Sequence, residues 1–500
     1  MKFKAGRFFK NAAILTLTSL ILRLLGMLFR IWLANAIGSE GMGLYQLILS
    51  FYMLAATFAG SGITTAVTRL ISEALSCSKR RAVGRIMGRG VTIALVLAVV
   101  SSAAVVMFAR PIAALWIKDT RAELSLRLLA LSLPFMAVSA CVKGYFVAYR
   151  QVVTPSVAVL LEQGVRMAVI LGVMGQVAHT DLSLACAIII FGDGVAEAVS
   201  CIYSVVGYKI HRKKQGVSLA KEEDMKGVAR NLLRIGAPIT AGRYLTTGLR
   251  TAESMMVPLY LAAFCGDKSV ALAQYGNLKG MALPLLFFPA SFLSSLATLT
   301  VPELSGAAAK GDRITIRQSV SRLISVTAAA SLLIGGIFAL FGRDISRLLY
   351  TEGEVGFFVQ VLAPLVPLMY LESIATGCLQ GLDCQNDLFK FNLIDGVARL
   401  AMIVIALGST GIKGFVLIMA ASNILTCFLC LAWLMKKAEI GFDFARWVGV
   451  PLALLVPSLA VGYLAGQIFS AASLIIKVGA ECLASSGVYL AFQIKKTRSI

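Results

Sequence analysis

The sequence predicts an all-α integral membrane protein with about fourteen transmembrane helices: two six-helix lobes related by a parallel repeat, plus two C-terminal helices. Three observations carry this. The 500-residue chain is 58% hydrophobic, with a mean hydropathy of +0.83, too apolar for a soluble domain. Apolar runs of about 20 residues recur along it, the length needed to cross a bilayer as a helix, and the short alternating segments of a β-barrel are missing. Two stretches repeat each other at a fixed offset, as Glu162 to Asp395 and Arg166 to Arg399.

Taken in order, the apolar runs fall at 11–37, 43–68, 90–109, 124–148, 154–176, 182–207, 235–262, 269–300, 320–342, 356–380, 388–408, 412–435, 447–467 and 470–494. The basic N-terminus MKFKAGRFFK leads straight into the first run with no small-residue cleavage site, so this run reads as a retained span. GSEGMG after span one marks a tight outer turn, GSG at Gly60–Gly62 loosens span two, and Pro284 and Pro289 bend span eight. The longest hydrophilic stretch, Lys209 to about Arg234, contains HRKKQ and KEED and joins spans six and seven. This places domains at 1–220 (first lobe), 221–440 (second lobe) and 441–500 (spans thirteen and fourteen with a cytoplasmic tail).

The repeat is the strongest internal signal. FARPIAAL from Phe108 aligns with FGRDISRL from Phe341, Pro134 with Pro367, Met136 with Met369 and Gly144 with Gly377. LEQGVRMAVI from Leu161 aligns with IDGVARLAMI from Ile394, which sets Glu162 on Asp395 and Arg166 on Arg399. The offset spans six helices, an even number, so corresponding helices run the same way. Transporters built on such repeats bind substrate between the halves near the midplane.

The net charge is +22. Lys and Arg are several-fold more numerous in the loops assigned to one side, which predicts a bacterial cell membrane protein with both termini cytoplasmic. The basic loops then set orientation and meet membrane lipids, and nucleic acid is excluded as a partner. The ten cysteines lie mostly within apolar runs, and Cys427 and Cys430 read as small apolar filler. The two histidines, His179 and His211, fall in loops. No metal-ligand spacing, cofactor motif or catalytic residue set is present, and no loop is long enough for a catalytic domain, so the chain is not an enzyme. A monomer is expected.

The charges within the spans are the candidate site. Arg23 and Arg30 lie seven apart, nearly two helical turns, and so share a face. Arg243 and Arg250 repeat that spacing in span seven, and Lys279 lies in span eight. Arg30 and Arg243, near span ends, also fit snorkelling to headgroups, and Glu253 is placed to pair with Arg250. An arginine at the bilayer centre costs about 2.5–3.5 kcal/mol on the mildest scale. A water-filled cationic cavity that receives an anion offsets that cost, and guanidinium forks match phosphate. Glu162 with Arg166 and Asp395 with Arg399 are i, i+4 pairs, chiefly structural, with gating or substrate contact as the alternative. Asp193 and Glu197 are i, i+4 carboxylates that read first as packing against a polar interior, with a proton or ion relay, which their mutual repulsion suits, as the alternative.

The stretches KNAAILTLTSLILRLLGMLFR, IGSEGMGLYQL and YGNLKGMALPLLFFPASFLSSLATLTVPELS resemble the stage V sporulation protein B group. These are polysaccharide-biosynthesis membrane proteins of the multidrug/oligosaccharidyl-lipid/polysaccharide exporter superfamily, and the sequence is similar, more distantly, to the MurJ lipid II flippases. The resemblance implies fourteen helices in two lobes around a V-shaped cavity. It also implies outward transport of a lipid-linked anionic oligosaccharide, with cell-wall synthesis proteins as candidate partners. Arg23 fits the first cavity arginine of the flippases in R-x-x-G, Arg30 the second at a spacing one residue longer, and Lys279 the position five before Pro284 where flippases have arginine. The span-two arginine of the flippases has no counterpart in FYMLAATFAG. The alternative function is a multidrug or cation antiporter of the same superfamily.

Overall fold

The structure is a computed structural model that describes residues 5–77, 80–177, 181–215, 226–351 and 354–498. His179 and the KEED segment lie outside these residues. The chain is 93% helical, without strands among the described residues. In order the helices are α1 (Ala5–Ser76), α2 (Arg80–Pro111), α3 (Ala122–Ala148), α4 (Val153–Val177), α5 (Leu182–Lys214), α6 (Lys226–Cys265), α7 (Lys268–Tyr275), α8 (Leu283–Phe287), α9 (Ala290–Lys310), α10 (Arg313–Leu349), α11 (Val355–Leu362), α12 (Val366–Gly381), α13 (Gln385–Met402), α14 (Gly408–Ala438), α15 (Val450–Ile468) and α16 (Leu474–Arg498).

Among the described residues, ten helical runs are long and apolar enough to cross a membrane. Two of them, Leu17–Ser76 and Gln385–Ala438, hold two spans each, because they are broken at Gly38 (φ 69°) and Gly411 (φ 61°). Only glycine reaches that backbone region without strain. With α6 and the broken segment from α7 to α9 they make the expected fourteen. Polar side chains mark helix starts: Asp181 accepts from the Ser183 amide, and Asp312 from the amide and hydroxyl of Thr315. The Thr315 hydroxyl and then its amide hold the Asp312 carboxyl below the usual carboxylate range, so the α10 cap stays ionised.

The repeat is visible in the boundaries. Arg80 and Arg313 open α2 and α10, and Ala122 and Val355 open α3 and α11, each pair at the offset that relates Glu162 to Asp395. The long hydrophilic stretch is partly helical, which corrects the loop assignment of His211. A helix of 33 residues runs about 50 Å at 1.5 Å per residue, longer than the ~30 Å hydrocarbon core, so the α5 end carries HRKK beyond the bilayer as ordered helix.

Two compact units emerge: residues 1–29 with 44–259, and 30–43 with 260–500. In the first, Ile63, Val67 and Ile71 of α1, Ile86 and Met87 of α2 and Tyr145 and Phe146 of α3 form one core. The helix α6 packs along the second half of α1 here. Thr251 Oγ1 donates to Ser50 O (3.0 Å) and Phe58 meets Tyr244 edge-on. A β-carbon on Gly62 would overlap Gly236 O. The GSG triplet therefore leaves α1 helical and serves close approach, not loosening. In the second unit Leu304, Ile324, Leu379, Leu434 and Trp447 form the main core. Between α15 and α16, Gly462 and Gly466 admit Ser485 and Glu481. Lipid supplies no hydrophobic drive between helices, so small residues that allow dense packing decide these contacts. Large apolar side chains face outward instead, as at Ile405 and Leu483.

Candidate functional site

In the second unit, the short stretch 30–43 packs on the broken span eight. The π-helical turn Gly276–Ala282 lies against it, where β-carbons on Gly43 or Gly276 would overlap the backbone at Leu272 or Ser39. Pro284 has no N–H, so it cannot serve as the α-helical i+4 donor to Gly280 O. Arg30 Nε donates to that oxygen at 3.0 Å. Tyr350 Oη donates to Met281 O (3.4 Å) and Tyr370 Oη to Leu286 O (2.5 Å). A broken membrane helix is tolerated only where such donors satisfy its backbone. The same stretch is held at Asn35, which donates to Leu349 O (2.8 Å) and accepts from the Thr351 amide (3.0 Å). Asn277 donates to Glu354 (3.3 Å). Arg30 thus has a backbone role that its charge alone did not suggest, and its contact fixes the residue next to Lys279.

Arg23 is half-buried in the first unit. On α6, residues 236, 244, 247 and 251 meet the second half of α1. Arg243 and Arg250 each precede a contact residue, so they are turned roughly 100° from that stripe, and both are exposed. Glu253 is buried. The structure groups Arg23, Arg243 and Arg250 in one unit and Arg30 and Lys279 in the other.

The first unit also holds a five-charge network on α3, α4 and α5. Arg166 Nη2 meets Glu162 Oε1 at 3.2 Å and Arg166 Nε meets Asp193 Oδ1 at 2.5 Å. Gln163 accepts from Arg166 Nη1 (2.8 Å), Lys143 Nζ stands 3.5 Å from Glu162 Oε2, and Ser200 Oγ donates to Glu162 Oε2 (3.4 Å). Glu197 is buried one turn from Asp193. Asp193 therefore faces a guanidinium, and the two-carboxylate reading of Asp193 and Glu197 omitted this partner. Lys143 was missed as well, although a lysine within span four is itself the signal.

The second unit repeats the pair but not the network. Arg399 Nη2 meets Asp395 Oδ2 at 2.8 Å, and a second partner is Ser422, which takes Arg399 Nε at 3.0 Å and donates to Asp395. At the repeat offset, Thr426 stands where the first half has Asp193.

Removing one partner of a buried ion pair leaves the other charged and costs about 3–5 kcal/mol. The network is only partly buried, so Arg166→Ala should cost about 2–3 kcal/mol, read as a fall in the melting temperature of purified protein. Adding Asp193→Asn should recover part of that loss by removing the orphaned charge. A melting curve for Arg166→Ala that overlays the wild type would contradict the ionic reading.

The profile of the family described as polysaccharide biosynthesis protein matches residues 8–305, more than half of the chain. The chain belongs to this family. Among its relatives, stage V sporulation protein B of Bacillus subtilis (strain 168) is 26% identical over 482 residues, covering 95% of the chain and 91% of the relative. The fold is that of solved transporters. A structure of the lipid II flippase MurJ in an inward closed conformation aligns with a TM-score of 0.73 at 14% identity, covering 97% of this chain and 98% of that one. An inward-facing multidrug resistance MATE family transporter of the MOP superfamily aligns at 0.66 with 12% identity, covering 85% and 98%. This family member thus carries ten helical runs apolar enough to span a membrane among its described residues, in the fold of those solved proteins.

Proposed function

We propose that the protein is a flippase that moves a lipid-linked oligosaccharide pyrophosphate, a cell-wall or polysaccharide precursor, from the inner to the outer leaflet of the bacterial cell membrane. The observation that carries this reading is the sign of the charge: spans one and seven bear arginines, two in each. Arg23, Arg243, Arg250 and Lys279 bind the pyrophosphate in a cationic cavity of alternating access. Arg30 supports Lys279 through the Gly280 carbonyl. The lipid tail stays in the bilayer. Relatives named as a sporulation protein and a lipid II flippase support the substrate class. An inside-negative potential favours outward movement of an anion by about 2.3 kcal/mol per charge per 100 mV, so a coupling ion is not required on energetic grounds. The Lys/Arg bias puts both termini in the cytoplasm.

A second reading, a multidrug or cation antiporter, draws on the carboxylates Glu162, Asp193 and Glu197. Lys143 and Arg166 already neutralise part of that charge, which weakens it.

The deciding experiment uses proteoliposomes loaded with a fluorescent polyprenyl-pyrophosphate disaccharide. The protein should raise the rate at which the sugar becomes accessible on the opposite leaflet several-fold over empty vesicles, and a neutral polyprenyl glycoside should not be moved. Equal rates for both lipids, or drug resistance in an overexpressing strain without lipid translocation, would overturn the assignment.

A further inference from the structure

A cavity of about 460 Å³ opens at the basic end of the first unit, lined by Phe146 of α3, Gln151 of the following turn, Thr154 of α4, and Tyr203, Val206, Ile210 and Lys214 of α5, among others. None of the charges described above reaches it. Its wall is preorganised. Arg150 adopts a left-handed conformation (φ 55°), and the Gln151 amide donates to Phe146 O (2.9 Å), closing α3 with a Schellman turn that presents Gln151. His211 is buried, and both its ring nitrogens are engaged: Gln151 Nε2 lies 3.0 Å from Nε2 and Tyr145 Oη lies 2.9 Å from Nδ1. As placed, the Gln151 amide donates to Nε2, so Nδ1 carries the proton and donates to Tyr145. The rings of Tyr145, Phe146 and Tyr149 pack around the imidazole.

The lining is graded. From Tyr203 to Gln215 the groove follows α5 for about 18 Å. The residues nearer the bilayer, Tyr203, Val206 and Ile210, are apolar or aromatic. Gln151, His211, Lys214 and Gln215 form the other end. Among the described residues, no carboxylate lines it. The α5 C-terminus would by itself repel an anion through its dipole, but Arg212, Lys213 and Lys214 share its last turn, and Lys209 and Arg150 stand nearby in sequence as exposed cations. A pocket with a cationic mouth and an apolar wall running into the membrane is complementary to an anionic amphiphile.

We propose that this groove is a binding site for an acidic glycerophospholipid of the adjacent leaflet. Its phosphodiester meets Lys214 and the Gln151 and Gln215 amides, and one acyl chain lies along Val206, Tyr203 and Phe146. The site is separate from the transport reading, and its failure leaves that reading intact.

The test is native mass spectrometry of the delipidated full-length protein titrated with phosphatidylglycerol or phosphatidylcholine, with glycerol 3-phosphate as a soluble arm. Phosphatidylglycerol should bind in preference to phosphatidylcholine, and glycerol 3-phosphate should not compete. A lysine near an anionic headgroup contributes roughly fivefold in affinity, so Lys214→Gln should lower bound phosphatidylglycerol about fivefold. Val206→Trp, which fills the groove at an exposed position without entering the core, should lower it as much. Lys209→Gln, a cation on the same helix end outside the lining, should change it less than about twofold. The proposal is overturned by an equal effect of Lys209→Gln, by equal binding of phosphatidylcholine, or by full binding to Val206→Trp. Competition by glycerol 3-phosphate would overturn the lipid as occupant in favour of a soluble phosphate.

Discussion

Arg23→Ala and Arg250→Ala should each abolish rescue of a flippase-depleted strain while the protein accumulates to wild-type levels. A guanidinium donates two parallel charge-assisted hydrogen bonds to a phosphate, each worth about 1.5–3 kcal/mol. Losing both predicts a drop in substrate affinity on the order of a hundredfold or more. Arg250 is exposed and turned from the α1 contact stripe, and Arg23 is half-buried. Folding should therefore survive both substitutions. Lysine at either position keeps the charge but not the fork, and should rescue growth only partly. Normal growth of both alanine variants would remove the anion-binding premise of the proposed function.

Arg30→Ala should fail for a different reason. It leaves Gly280 O, which Pro284 denies an α-helical i+4 donor, without the Arg30 donor, at a cost of about 1.5–3 kcal/mol. The prediction is a lower melting temperature, and Pro284→Ala should reverse it. Alanine restores an N–H at position 284, so the helix can close its own bond to Gly280. In a double-mutant cycle the two sites should couple by about 1 kcal/mol or more. Additive effects would show that the Arg30–Gly280 bond contributes nothing to stability. If the double variant regains stability but not transport, Arg30 also acts on substrate. If it regains both, Arg30 is a positioning residue for Lys279.

The two cases separate what charge pattern reveals from what packing reveals. The arginine pairs stood out because an intramembrane charge is costly wherever it occurs, a fact independent of fold. Arg30 looked like its neighbour Arg23 because nothing in LILRLLGMLFR reports that a carbonyl 250 residues away lacks its donor. Pro284 was a clue, read only as a bend. Asp193 and Glu197 were legible as acids one turn apart, but the guanidinium facing Asp193 comes from another helix, as Lys143 does for Glu162. His211 shows the opposite error. A polar run suggested a loop, yet a helix longer than the bilayer is thick continues into water with its backbone bonds intact.

By itself the sequence determined the number of spans, the repeat, the i, i+4 ion pairs and the sign of the intramembrane charge. All of these follow from local periodicity and from the cost of polar groups in hydrocarbon, which act on each segment alone. Only the tertiary structure decided which small residues let backbones touch, as at Gly62 against Gly236 and Gly276 against Ser39, and which distant side chain satisfies each broken turn of helix. The reason is physical: lipid is as apolar as the helix surfaces it wets, so helix pairing rests on shape and on scattered donors and acceptors, and those meet only after the chain has folded.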